Sequence, residues 1–141
     1  MRTRLFDASA IMLLAKRHPD KAPATLEDEY MLDLTMYEVG NAIWRINQLI
    51  EKTSRSTALE AVDQAHHLTA LMETARVEGA EGLTGTMELA FDGGLSFYDS
   101  AYLHVARRMG LTLVTEDERL LRTAREAGVN CAKIEDLGTD P

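Results

Sequence analysis

Four carboxylates in this 141-residue chain fall where a strand is expected to end or a helix to begin: Asp7, Glu38, Asp99 and Asp117. In a parallel sheet the carboxyl ends of strands and the amino ends of the following helices share one edge, so residues this distant in sequence can meet there. Each acid also has a purely structural reading. Thr35-Met-Tyr-Glu38 reads as a capping box, Ser96-Phe-Tyr-Asp99 as a near version, and Thr115-Glu-Asp-Glu118 as another with Asp117 inside its first turn. A helix dipole stabilises an acid at its amino end by about 0.3–1 kcal/mol, reason enough for any one of them. As a set they need more. Two carboxylates about 5 Å apart repel by ~3 kcal/mol at an effective dielectric near 20, which exceeds what the dipole returns. Four in one pocket therefore call for a cation. With only oxygen donors at hand, and no histidine or cysteine at ligand spacing, Mg²⁺ or Mn²⁺ suits the set better than zinc.

The elements that would have to position these acids follow from hydrophobic spacing. Arg2 to Phe6 reads as a strand with Asp7 at its end, followed by a helix over Ala10 to Lys16 that His18-Pro19-Asp20 stops. Lys21 to Glu29 carries no clear pattern, and Tyr30 to Leu34 reads as a second strand. Val39, Ile43, Ile46 and Ile50 mark a helix running to about Lys52, and the spacing predicts a second long helix over Thr57 to Glu78. Gly79 to Gly85 reads as a break, Thr86 to Phe91 as one or two helical turns, and Asp92-Gly93-Gly94 as a turn. Tyr98 to Met109 is helical with Gly110 as its cap, Leu111 to Val114 a buried strand, Glu116 or Asp117 to Ala127 a helix closed by Gly128, and Val129 to Ile134 a last strand. Alternating strands and helices imply an α/β protein with a mainly parallel sheet. Residues 1–135 read as one domain and 136–141 as a flexible tail.

Composition narrows the function. The 15 basic against 23 acidic residues leave 15 − 23 = −8 charges, and 6% aromatic content with a pI near 4.9 speaks against a general nucleic-acid coat protein. Any nucleic-acid contact must be local. No apolar run approaches the ~18 residues of a membrane span. The single Cys131 cannot pair within the chain and no signal sequence is evident, so a reduced, cytoplasmic setting is expected.

The stretches Leu5-Phe-Asp-Ala-Ser-Ala-Ile11, Leu34-Thr-Met-Tyr-Glu-Val-Gly-Asn-Ala-Ile-Trp-Arg45, Gly94-Leu-Ser-Phe-Tyr-Asp-Ser-Ala-Tyr-Leu-His-Val-Ala106 and Leu113-Val-Thr-Glu-Asp-Glu-Arg-Leu120 resemble a PIN domain, most closely the VapC-type toxin ribonucleases of toxin–antitoxin pairs. The likeness runs from Leu5 to about Ala132 and is weakest over His18 to Asp33 and Arg76 to Met87. It implies a three-layer α/β/α fold in which Asp7, Glu38, Asp99 and Asp117 hold one or two Mg²⁺ or Mn²⁺ ions and catalyse endonucleolytic hydrolysis of RNA. By the same resemblance Ser9 supports the first ligand and Thr115 the fourth. Asn41, three residues after Glu38 and so on the same helix face, would orient that carboxylate or a water beside it. Glu116 and Glu118 flank Asp117 and compete for its place. Two divalent ions would take the site from −4 to zero and the chain from −8 to −4. Arg119, Arg122 and Arg125 form a helix stripe that could touch phosphates. The implied partners are an RNA substrate, a second copy of the chain in a homodimer, and a cognate antitoxin whose basic tail suits an acidic pocket.

Two other readings compete. A PIN scaffold kept for binding alone would not need four intact acids. A phosphoacceptor receiver domain is also a small parallel α/β protein that uses Mg²⁺, but it wants paired acids after the first strand, and here Asp7 is followed by Ala8, with only Lys133 late in the chain. His66 and His67 lack the spacing of a metal pair, His104 reads as packing or solvation, Cys131 as a small core residue, and Trp44 with the methionines as core or a dimer seam.

Overall fold

The computed structural model describes residues 3–138. Its elements run β1 (Arg4–Phe6), α1 (Ala8–Arg17), α2 (Ala22–Leu26), β2 (Tyr30–Leu32), α3 (Thr35–Trp44), α4 (Arg55–Thr69), β3 (Glu73–Ala75), α5 (Gly79–Gly93), α6 (Phe97–Met109), β4 (Thr112–Val114), α7 (Glu118–Glu126) and β5 (Cys131–Ala132). A π-helical segment, Arg45–Ile50, continues α3, and a 3-10 turn, Ile134–Leu137, follows β5.

The strands form one parallel sheet in the order β3-β2-β1-β4-β5. Successive side chains of a strand point to opposite faces, and both faces are covered here. Leu5, Leu32 and Leu113 bury against Tyr102, Leu103, Leu120 and Ala124 of α6 and α7, whereas Phe6, Met31 and Val114 pack against Ile11, Leu14, Ala22 and Leu26 of α1 and α2. The result is the expected three-layer α/β/α arrangement. From β1 the chain steps outward through β2 to β3, then returns to place β4 on the other side of β1. The carboxyl ends of β1 and β4 therefore flank a topological switch point, the place where open α/β sheets bind ligands. Receiver-type domains place their strands in the order 2-1-3-4-5, so the observed order removes that alternative.

Several sequence expectations need correction. The long helix expected over Thr57 to Glu78 ends at Thr69, and Glu73–Ala75 is an edge strand paired with β2. A Glu-Thr-Ala triplet has little intrinsic strand preference; its pairing is decided by the neighbouring strand. Gly79 to Gly85 is no break, because α5 is helical over 15 residues. A Cβ at Gly82 would come to 3.0 Å from a Val77 methyl, and one at Gly85 to 3.3 Å from the His104 ring, so these glycines let α5 close on its neighbours. The helix expected to run to Lys52 changes from α to π geometry at Arg45. The unpatterned Lys21 to Glu29 contains the short helix α2. Trp44 is not core: it is 51% exposed. Leu137 of the 3-10 turn is partly buried against the core, and residues 139–141 of the expected tail lie outside the described residues, as does Arg2 of the first strand.

Candidate active site

Asp7 directly follows β1 and caps α1, with Oδ1 accepting the Ala10 N–H at 2.9 Å and the Ser9 hydroxyl at 2.7 Å. Thr115, which directly follows β4, donates its hydroxyl to Oδ2 of Asp7. Each hydroxyl also accepts from the loop after β4: Ser9 Oγ from the Glu116 N–H at 3.1 Å, and Thr115 Oγ1 from the Asp117 N–H at 3.1 Å. Two neighbouring strand ends are thus stitched together around one carboxylate. Thr115 bonds both the Asp7 carboxylate and the Asp117 N–H, linking the first acid to the fourth.

Glu38 lies in the first turn of α3, but the Thr35–Glu38 capping box does not form: Leu34 is the cap residue and makes no side-chain bond. Thr35 instead turns inward. Its hydroxyl accepts the Leu32 N–H at 3.0 Å and meets the Tyr102 hydroxyl at 2.7 Å, while Tyr102 donates to Glu38 Oε1 at 2.6 Å. Since the phenol's only proton points to Glu38, Thr35 must donate to the phenol oxygen. A buried relay from Leu32 through Thr35 and Tyr102 therefore fixes the glutamate.

Ser96 caps α6 by accepting the Asp99 N–H at 3.0 Å, which places Asp99 in the first turn of that helix. Asp117 is itself the cap of α7, its Oδ1 accepting from Arg119 and Leu120 N–H at 2.9 and 3.0 Å. The Thr115–Glu118 box is absent because Thr115 is committed to Asp7. The competing acids are engaged elsewhere: Glu116 accepts the Ile134 N–H at 2.8 Å and Glu118 pairs with Lys133.

All four predicted acids line one open cleft of about 310 Å³, together with Ser9, Asn41, Tyr102 and Arg45. They line it without closing into a chelate: among the described residues no three Asp, Glu, His or Cys side chains are grouped to hold one ion. Mutual repulsion of ~3 kcal/mol per carboxylate pair at about 5 Å opposes such closure until a cation offsets it. They do sense one another. Burial, with a further push from the Asp99 charge, lifts the Asp7 carboxyl to about 6, against the lowering effect of its bonds from Thr115, Ser9 and Ala10. Burial likewise raises Glu38, opposed by Tyr102 and reinforced by Asp7 and Asp99. Asp99 is raised by burial and by Asp117, against Ser96 and Arg119. Burial and the neighbouring Glu38 hold the Tyr102 phenol firmly protonated, as a donor must be.

Two cleft residues escaped the sequence reading. Tyr102 follows Asp99 by three positions and so shares its helix face; Arg45 follows Glu38 by seven, two turns along the same face. Conversely, Arg119, Arg122 and Arg125 do not line the cleft, and the Arg119 guanidinium donates to the Gly94 carbonyl. Asn41 lines the cleft but makes no hydrogen bond to Glu38 among the described residues.

A parallel sheet in this order, with acids gathered at its switch point, is the architecture of a PIN domain, and the chain belongs to the PIN domain family, which it matches over residues 4–126. Among its relatives, Exonuclease VapC9 of Pyrobaculum aerophilum is 36% identical over 123 residues, 87% of this chain and 86% of that protein. Ribonuclease VapC3 of the same organism is 30% identical over 122 residues, 81% of this chain and 88% of that protein. A crystal structure of PAE2754 from Pyrobaculum aerophilum matches with a TM-score of 0.81 at 32% identity, covering 96% of this chain and 92% of that one.

Proposed function

We propose that the protein is a Mg²⁺- or Mn²⁺-dependent endoribonuclease, the toxin of a toxin–antitoxin pair, acting at the Asp7, Glu38, Asp99 and Asp117 cleft. The supporting observation is the arrival of four carboxylates from distant parts of the chain at one cleft, on the edge where this sheet binds ligands. Their chemistry fits a hard cation. The donors are all oxygens, and Glu38 Oε2 and Asp117 Oδ2 accept no hydrogen bond among the described residues. Burial first and neighbouring acids second raise the Asp7, Glu38 and Asp99 carboxyls, a cost that a bound cation would offset.

A divalent ion bound there would supply an acidified water and a counter-charge for the phosphoryl oxygens. The chain supplies the positioning. Three donors lock Asp7, so it is the fixed point of the cleft. The Tyr102 phenol holds Glu38 by one oxygen, and the other accepts no hydrogen bond among the described residues. Asp99 and Asp117 sit at the amino ends of α6 and α7, whose dipoles favour negative charge and so favour an incoming phosphate.

Partners follow from the same reading. An apolar groove of about 520 Å³ between α1 and α4 shares Met12 with the acidic cleft, so an antitoxin with an apolar segment followed by basic residues could fill both. No helix among the described residues is long and apolar enough to cross a membrane.

The test is cleavage of linear and circular RNA by the purified protein with Mg²⁺ or Mn²⁺, with and without EDTA, beside Asp7→Asn and Asp99→Asn. The proposal predicts EDTA-sensitive cutting of both substrates and a loss of at least 100-fold in each variant. Cutting of linear RNA alone would make the enzyme an exonuclease; equal cutting by all three proteins would remove the cleft from the reaction.

A further inference from the structure

The acidic cleft has a cation of its own, and its placement suggests a role in gripping substrate. Among the residues that line the cleft, Arg45 alone carries a positive side chain. It is exposed, and no ion pair among the described residues includes it, although four carboxylates share its cleft. Glu38, Asn41 and Arg45 recur at i, i+3 and i+7, which puts all three on one face of the same helix.

The backbone beneath Arg45 is unusual. The helix changes there from α to π, a rare geometry that recurs frequently at functional sites. A buried amide secures the change: Asn47 Nδ2 donates to the Ile43 carbonyl at 2.7 Å, and Asn47 Oδ1 accepts from the Thr53 hydroxyl. The Glu51 N–H reaches back five residues to Ile46 at 2.7 Å, and the Thr53 N–H bonds the Asn47 carbonyl at 2.8 Å. The root of the side chain is held while its guanidinium is left uncommitted. Arg119 is the opposite case, since its guanidinium is spent on Gly94.

From these observations we infer that Arg45 is a substrate-binding residue that grips an RNA phosphate at the mouth of the cleft. The inference rests on the nuclease reading and names the cation that reading lacks. A planar guanidinium with a pair of parallel donors suits a phosphate better than a lone ammonium does. An RNA drawn to this cleft must bring phosphates past four acids, and one unpaired arginine beside them offers a local attraction that the chain's net charge of −8 does not.

The test is anisotropy of a fluorescent single-stranded RNA on the Asp99→Asn protein, in which cleavage is expected to be slow, in Mg²⁺ over a salt series, with Arg45→Ala, Arg45→Lys or Arg122→Ala added. Arg45→Ala is expected to weaken binding about 10-fold and to reduce the slope of log affinity against log salt by about 0.7, the contribution of one single-strand phosphate contact. Arg45→Lys should retain the slope while losing part of the affinity, and Arg122→Ala should change neither. In the otherwise wild-type enzyme Arg45→Ala should raise KM more than it lowers kcat. RNA binding by the parent that ignores Arg45, or that responds equally to Arg122, overturns the assignment and leaves the nuclease reading standing. A parent that binds no RNA overturns both.

Discussion

Asp7 carries the clearest residue-scale consequence, because it is 6% exposed and its carboxyl is lifted from 3.8 to about 6. Between those values the metal-free folded protein keeps a proton that the unfolded chain has released. The stability this provides is fully present below about pH 4 and is lost as pH rises through about 6, so ionised Asp7 penalises the fold at neutral pH. Asp7→Asn should therefore raise the Tm of metal-free protein at pH 7 and lose that advantage at pH 4, with a ceiling of roughly 3 kcal/mol. Thermal melts in EDTA across this range check it; a stabilisation independent of pH would contradict it. Tyr102→Phe tests the relay beneath Glu38. It leaves Thr35 and the glutamate without their shared partner and should cost about 1–3 kcal/mol in stability and about 10–100-fold in activity, measured on protein shown to be folded. Unchanged activity would make the phenol a packing residue only. The acids were legible in the sequence because they sit beside strand ends and helix starts. Tyr102 was less so, because a tyrosine within an apolar helix face looks the same whether or not its hydroxyl serves a carboxylate.

At the level of elements, legibility followed local pattern. The first strand and helix, α6 with its Gly110 cap, and the β4–α7 unit were readable from spacing and capping alone. Where tertiary contact overrode propensity, the reading failed. Edge strand β3 exists because β2 pairs with it, and α5 keeps its glycines because α6 lies against them. The turn into α6 offers a test. A Cβ at Gly93 would fall 2.7 Å from the Thr123 methyl, a short branched side chain with little room to yield. Gly93→Ala should destabilise the protein by about 1–3 kcal/mol in denaturant unfolding, with activity per folded molecule retained because Gly93 does not line the cleft. A neutral substitution would mean that α5 and α7 are not packed this closely.

For the whole molecule, the sheet order explains why so small a chain can build a site from four separate segments. Stepping outward from β1 and then returning beside it brings the ends of β1 and β4 together, while α3 and α6 start over the same edge. The expected homodimer belongs to this scale. Leu83, Met87 and Phe91 form an exposed apolar ridge at i, i+4 and i+8 along α5, and we propose this face as the one that would bury against a second copy. Light scattering should give twice the monomer mass for wild type and the monomer mass for Phe91→Glu; a monomeric wild type would contradict it.

The four-carboxylate site is tested most directly by a calorimetric titration of Mn²⁺ into the metal-free protein at pH 7. Saturable binding of one or two ions is expected, abolished or weakened at least tenfold by Asp7→Asn and by Asp99→Asn, and weakening as pH falls below about 6. Binding that is absent, or that survives both substitutions unchanged, would mean that these carboxylates do not form an ion centre.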